Sequence, residues 1–177
     1  MALRKASAYT KSYARPYTRK SKKRTKSYIK TIPNPRIVKF KMGDLKGYDQ
    51  GEYPISINVI SKEKVQMRDN SIEAVRQYLN RFMQERIGKE FYLEVKVYPH
   101  HILRENKMLT MAGADRMQTG MSKSFGKAIG RAALIKPGQI LFILAIKTPK
   151  QEIEARKLIS SAKARLPCKI ATETIKA

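Results

Sequence analysis

The chain carries 14 basic and no acidic residues before Asp44, then 24 basic and 14 acidic residues from Asp44 to its end. A stretch with that balance cannot fold by itself. Its cations find no carboxylate to pair with, and residues 1–31 show almost no apolar periodicity that burial could exploit. The sequence therefore divides into a basic arm, 1–35, and a single folded domain, 36–177. Within the arm, Lys20, Lys22, Lys23, Arg24 and Lys26 repel one another in free solution, so the arm is expected to order only against a polyanion. Tyr9, Tyr13, Tyr17 and Tyr28 interleave with these cations and offer rings for stacking on bases beside charges for phosphates. A solvated tail with incidental tyrosines is the plainer alternative, and an Arg- and Ser-rich, acid-free stretch also has the composition of a transit peptide.

The formal charge of +24 on 177 residues far exceeds the magnitude of about 2–8 that keeps a small domain soluble, so an external counterion is implied. Nucleic acid fits better than a membrane, because no run approaches the ~18 apolar residues of a spanning helix. With 42% hydrophobic residues the chain can bury a core. Cys168 is the only cysteine, which excludes an internal disulfide and the multi-cysteine metal sites, and suits a reducing, cytoplasmic compartment.

Apolar spacing predicts the elements of the domain. Ile37–Phe40 and the alternating Ile55, Ile57 and Val59 read as strands, as does Phe91 to Val97 before Pro99. Residues 71–87 place Ile72, Val75, Leu79, Phe82 and Met83 at helical spacing, with Asn70 and Glu73 as a capping box and Gly88 as the stop. The run Ile140–Ile146 is a strand, followed by a second capping pattern at Thr148-Pro149-Lys150-Gln151 and a stripe of Ala155, Leu158, Ile159 and Ala162. Pro167 closes that helix and Ile170–Ile175 form a last strand. The fold class is α+β, two helices packed on a mixed or antiparallel sheet.

Residues 104–136 interrupt the pattern. No strand or long helix fits the first half, and a connection this long is uncommon unless it is functional or disordered. Met108, Met111, Met117 and Met121 fall here among several cations, and Ala112, Gly113 and Ala114 allow a close backbone approach. A loop threading between RNA elements meets this description, and so does a surface loop whose methionines tuck against the core. Ser122–Lys127 hints at a phosphate-binding loop but fails: five residues separate Gly120 from Gly126, and Ala128 stands where a magnesium-binding hydroxyl is needed. Gly126, Lys127 and Gly130 suit a close approach to RNA or ordinary turns.

No catalytic constellation emerges, and no metal site or cofactor is expected. His100 and His101 are adjacent and would face opposite sides of a strand, and Cys168 reads as a core thiol. Asp115 beside Arg116 suits a local ion pair. A basic architectural protein that binds nucleic acid is one reading that composition alone supports.

The blocks His101-Ile-Leu-Arg-Glu-Asn-Lys-Met-Leu109, Ala112-Gly-Ala-Asp-Arg-Met-Gln-Thr-Gly-Met121 and Phe125-Gly-Lys127 resemble the ten-e family of archaeal and eukaryotic large-subunit ribosomal proteins, the counterpart of bacterial large-subunit protein sixteen. The resemblance runs from about Tyr28 to the C-terminus, and the short C-terminal end looks archaeal. It implies an α/β-hammerhead-like domain, bound to large-subunit rRNA of the 23S type, with 5S rRNA and neighbouring ribosomal proteins as further partners and no membrane. It also implies an inserted functional loop, 104–120, that points toward the peptidyl transferase centre and the tRNA accommodation channel, near tRNA at the A site or P site. Carried onto this sequence, the RNA- or tRNA-facing residues of that loop are Arg104, Lys107, Met108, Arg116, Gln118 and Thr119. Lys123, Lys127 and Arg131 follow it as further basic candidates.

Overall fold

Apolar strands, some alternating and one a continuous apolar run, build the larger of two sheets in the computed structural model, which describes residues 6–10, 29, 31–105 and 126–176. Strands β1 (Lys41–Gly43), β2 (Ile55–Ser61), β4 (Phe91–Val95), β7 (Ile140–Ile146) and β8 (Ile170–Lys176) form it in the order β1-β4-β7-β2-β8. Every pairing is antiparallel. Register sets Ile57 opposite Leu144 and Leu144 opposite Leu93, so three strands contribute to one layer of the core. Phe91, Leu93, Ile57 and Leu144 are fully buried there, each side chain contributing roughly 1.5–3 kcal/mol by leaving water.

Two helices cover that face: α3 (Asp69–Ile87), through Ile72, Val75, Leu79 and Met83, and α4 (Pro149–Ala162), through Ala155, Leu158, Ile159 and Ala162. The α+β class is thus as the apolar spacing implies. The start of α4 also follows its sequence signature. Thr148 Oγ1 accepts the Gln151 N–H at 3.4 Å, and Gln151 Oε1 accepts the Thr148 N–H at 3.1 Å. At α3 the expected capping box is absent. The helix begins earlier, at Asp69, whose carboxylate accepts the N–H groups of Asn70 at 2.8 Å and Arg36 at 3.2 Å. Glu73 turns instead to Arg76 Nε, 2.7 Å away. Gly88 ends α3 at φ 83, a conformation that glycine adopts without penalty.

On the opposite face of the sheet, the short helix α2 (Leu45–Asp49) presses Tyr48 flat on Tyr92, with ring centroids 3.8 Å apart. Asp44 accepts the Gly47 N–H at 3.0 Å and the Tyr53 hydroxyl at 3.1 Å. The Gly47 amide is the main reason the Asp44 carboxyl lies below its ordinary range.

The remaining strands form a separate sheet, a division not evident from the apolar pattern. Strands β3 (Val65–Arg68), β6 (Lys127–Ile135) and β5 (His101–Glu105) pair antiparallel in the order β3-β6-β5. Val65, Met67, Ala133 and Ile135 belong to the same apolar core as the larger sheet. The second half of segment 104–136 is therefore mostly strand, and Arg104 and Glu105 end β5. Its run of small residues, Ala128, Gly130, Ala132 and Ala133, hides a strand that propensity does not favour. The strand expected at 37–40 is displaced to 41–43, with Val38 exposed.

Candidate nucleic-acid interface

Strands β5 and β6 are the two arms of a hairpin. Glu105 lies opposite Lys127 at its open end, and residues 106–125 join them outside the described residues. Near that end the register shifts between Leu103 and Arg104, so that Leu103 faces Gly130 while Arg104 faces Ala128. Such a bulge bends the strand and re-aims its side chains.

Of the loop and basic residues that the sequence assigns to RNA, three are described, and all lie on this hairpin. Lys127 is exposed, whereas Arg104 and Arg131 are buried. Arg131 Nε donates to Pro33 O at 2.6 Å, and its Nη1 donates to the Tyr98 hydroxyl at 3.1 Å. Tyr98 in turn stacks on Phe40 at 5.5 Å and meets His100 at 4.5 Å. One guanidinium thus fastens the chain leaving the arm to the middle of β6. Lys20, Lys22, Lys23, Arg24, Lys26, Lys107, Met108, Arg116, Gln118, Thr119 and Lys123 lie outside the described residues.

The arm touches the same small sheet a second time. Residues 7–10 form a helical turn, α1 (Ser7–Thr10), beside β3. Gln66 Nε2 donates to Tyr9 O at 2.9 Å, and the Arg68 guanidinium sits 4.8 Å above the Tyr9 ring. The ring expected to stack on a base thus carries a protein cation on one side. Neither Gln66 nor Arg68 stands out in the sequence, where the signal is slight: four residues in which Val65 and Met67 alternate with them.

Electrostatics differ sharply between faces. Along α3 and α4, Arg81 pairs with Glu85 at 2.9 Å, Arg86 with Glu154 at 2.6 Å, Lys157 with Glu154 at 2.8 Å and Arg156 with Glu152 at 2.9 Å. That face is close to charge balance. On the segment that Arg131 fastens, Arg36, Lys39 and Lys41 are exposed, and among the described residues none forms an ion pair with a carboxylate. The hairpin side therefore presents positive charge on a hydrogen-bonded frame, an arrangement suited to phosphate contacts that position a partner without reading its sequence.

Cys168 is half-buried against the core beside Ser61, and burial pushes its thiol up from the ordinary value. This is the behaviour of an inert structural thiol.

Comparison with known proteins matches residues 15–172 to the family "Ribosomal protein L16p/L10e". The large ribosomal subunit protein uL16 of Staphylothermus marinus is 40% identical over 169 residues, covering 94% of this chain and 90% of that protein. The uL16 protein of Methanococcus aeolicus is 37% identical over 173 residues, 96% of this chain and 94% of its own length. That of Pyrobaculum arsenaticum is 38% identical over 168 residues, 94% and 88% respectively.

Proposed function

The chain belongs to the ribosomal protein L16p/L10e family, and from that membership we propose that it is a structural constituent of the large ribosomal subunit, working in the ribosome in the cytoplasm. The carrying observation is a match that spans nearly the whole chain and its relatives. It is not an enzyme, and its partners are rRNA and neighbouring ribosomal proteins. The excess of 38 basic over 14 acidic residues supplies the means of binding.

The finer reading concerns the arm and the loop. The arm, 1–35, clamps rRNA through Lys20, Lys22, Lys23, Arg24 and Lys26. The loop, 104–120, reaches toward the peptidyl transferase centre and assists tRNA accommodation by placement, with Lys107, Met108, Arg116, Gln118 and Thr119 facing RNA and Lys123 and Lys127 at its return. Arg104 and Arg131, buried at the hairpin, act by holding the loop's base. The hairpin supports this reading, because a loop leaving two paired strands is aimed by a rigid element instead of by its own sequence. Contacts to 5S rRNA and to tRNA at the A site or P site belong to the same proposal.

Deleting Lys107–Arg116 tests the division of labour. Sedimentation should show the variant bound to large subunits as before, while tRNA placement and translation fall. Normal translation by subunits carrying the deletion would remove the loop from the mechanism, and loss of subunit binding would make it an anchor.

A further inference from the structure

Three turns meet at the far end of β6 from the loop, and one buried serine joins them. Ser61 is fully buried, at 0% exposure. Its N–H donates to Gln139 O at 3.0 Å, and its carbonyl accepts the Gly138 N–H at 2.8 Å. Its hydroxyl bonds the Glu63 carbonyl at 2.9 Å and faces the Glu63 N–H at 3.3 Å. The next residue, Lys62, donates its N–H to Lys169 O at 2.9 Å. Within the β6–β7 turn, Gln139 Oε1 accepts the Lys136 N–H at 3.0 Å, and Gly138 supplies the positive φ of 78 that closes the turn. The segments 61–64, 136–139 and 166–169 are thereby held as one unit.

Each turn projects an exposed lysine, Lys62, Lys136 and Lys169, and the first carries exposed Lys64 as well. The single carboxylate among them, Glu63, reaches Lys169 at 4.0 Å, and that lysine side chain stays 83% exposed. The backbone beneath these charges is already ordered, so binding an anion costs side-chain freedom alone. No aromatic ring or large apolar side chain is exposed on these turns, which argues against reading bases or entering a lipid surface. Three point charges on a rigid frame suit the sugar-phosphate backbone of a folded RNA.

This cluster is separate from the hairpin end that bears Lys127. The nine residues of β6 lie between them, about 31 Å at ~3.4 Å per residue, whereas charges are screened beyond about 8–10 Å at physiological salt. We propose that the Ser61-centred turn cluster is a second RNA-backbone contact, carried by Lys62, Lys136 and Lys169, which grips an RNA segment distinct from the one met by the arm and loop. The proposal rests on the rRNA-binding reading above and adds a site to it.

The test is a salt titration of the full chain binding large-subunit rRNA. One variant carries Lys62→Ala, Lys136→Ala and Lys169→Ala. A charge-matched variant carries Arg81→Ala, Arg156→Ala and Lys157→Ala, which removes cations already paired to carboxylates. The slope of log affinity against log salt should fall by about 2–3 in the first variant, at about 0.7–0.9 for each phosphate no longer neutralised, and by less than about 1 in the second. Melting temperatures of both should stay near that of the parent, because the removed side chains are exposed. Equal slope changes in the two variants, or none in the first, overturn the proposal while leaving rRNA binding intact. A parent chain that does not bind rRNA overturns both.

Discussion

Replacing Arg131 by methionine keeps a long side chain in a buried place while removing the donors that reach Pro33 O at 2.6 Å and the Tyr98 hydroxyl at 3.1 Å. Hydrogen bonds from a charged donor contribute about 1.5–3 kcal/mol each. Two effects reduce the loss. Tyr98 is 39% exposed, so water can replace one partner, and methionine needs no compensation for a desolvated charge. The net cost is about 2 kcal/mol, which for a chain of this length corresponds to a fall in Tm of roughly 4–8 °C. Circular dichroism melts measure it, and limited proteolysis should show earlier cutting between residues 31 and 40, the segment that the guanidinium fastens. A salt titration with rRNA separates this internal role from a phosphate contact. The buried geometry predicts an unchanged slope, whereas a residue that neutralises a phosphate would lower it by about 0.7–0.9. An unchanged Tm together with a slope lowered by that amount would instead make Arg131 a phosphate contact.

Glycine substitutions should discriminate two kinds of strain. A Cβ at Gly43, φ 87, would lie 2.0 Å from Phe91 O, whereas one at Gly51, φ 78, meets nothing within 4 Å; Gly51→Ala should cost about 1 kcal/mol and Gly43→Ala about 3 kcal/mol or more in urea denaturation. Thr148→Ala removes both the acceptor for Gln151 N–H and the capping box, and should lower stability by about 1 kcal/mol, with amide exchange accelerating first at the start of α4. Burial pushes the Glu73 carboxyl up, but hydrogen bonds from Arg76 and Gln77 outweigh it and hold the group below its ordinary 4.5. A depressed carboxylate contributes stability above 4.5 that disappears as pH falls through its folded value. Glu73→Gln should therefore be less stable than the parent at pH 7, and the difference should shrink in denaturant titrations as pH drops below 4.5.

Legibility in the sequence follows how local each determinant is. Strands such as Ile140–Ile146 and the Thr148 capping box depend on neighbours within a few residues and stand at the expected positions. The beginning of α3 does not, because Asp69 is drawn to the Arg36 N–H, 33 residues away in sequence; that long-range bond is invisible in a local window. Strands β3 and β6 are hidden for a related reason. β3 has four residues, and β6 carries Ala128, Gly130, Ala132 and Ala133, small residues that become strand only because β5 and β3 pair on either side. The candidate interface divides the same way. That Lys127 and Arg131 are basic is evident from the sequence, but the exposure of one and burial of the other depends on where Pro33 and Tyr98 arrive. Charge type is local, whereas accessibility is a property of the packed chain.

The distribution of charge explains how a chain of +24 keeps a stable core. Uniformly spread cations would repel across every element and oppose folding. On the helix face, Glu85, Glu152 and Glu154 meet Arg81, Arg86, Arg156 and Lys157. Each exposed pair contributes little, at a median of about 0–1 kcal/mol, but together they neutralise the surface nearest the core. Among the described residues, Arg36, Lys39 and Lys41 on the segment near the hairpin and Lys62 and Lys136 on the turns around Ser61 form no such pair. Repulsion within those sites is relieved when phosphates arrive, so the same charges that weaken the free protein strengthen it on RNA. A melt of the full chain should accordingly rise with added rRNA, and the rise should shrink as salt increases and the phosphate contacts are screened. A salt-independent rise would place the stabilisation in apolar contacts instead, and would detach the charge distribution from function.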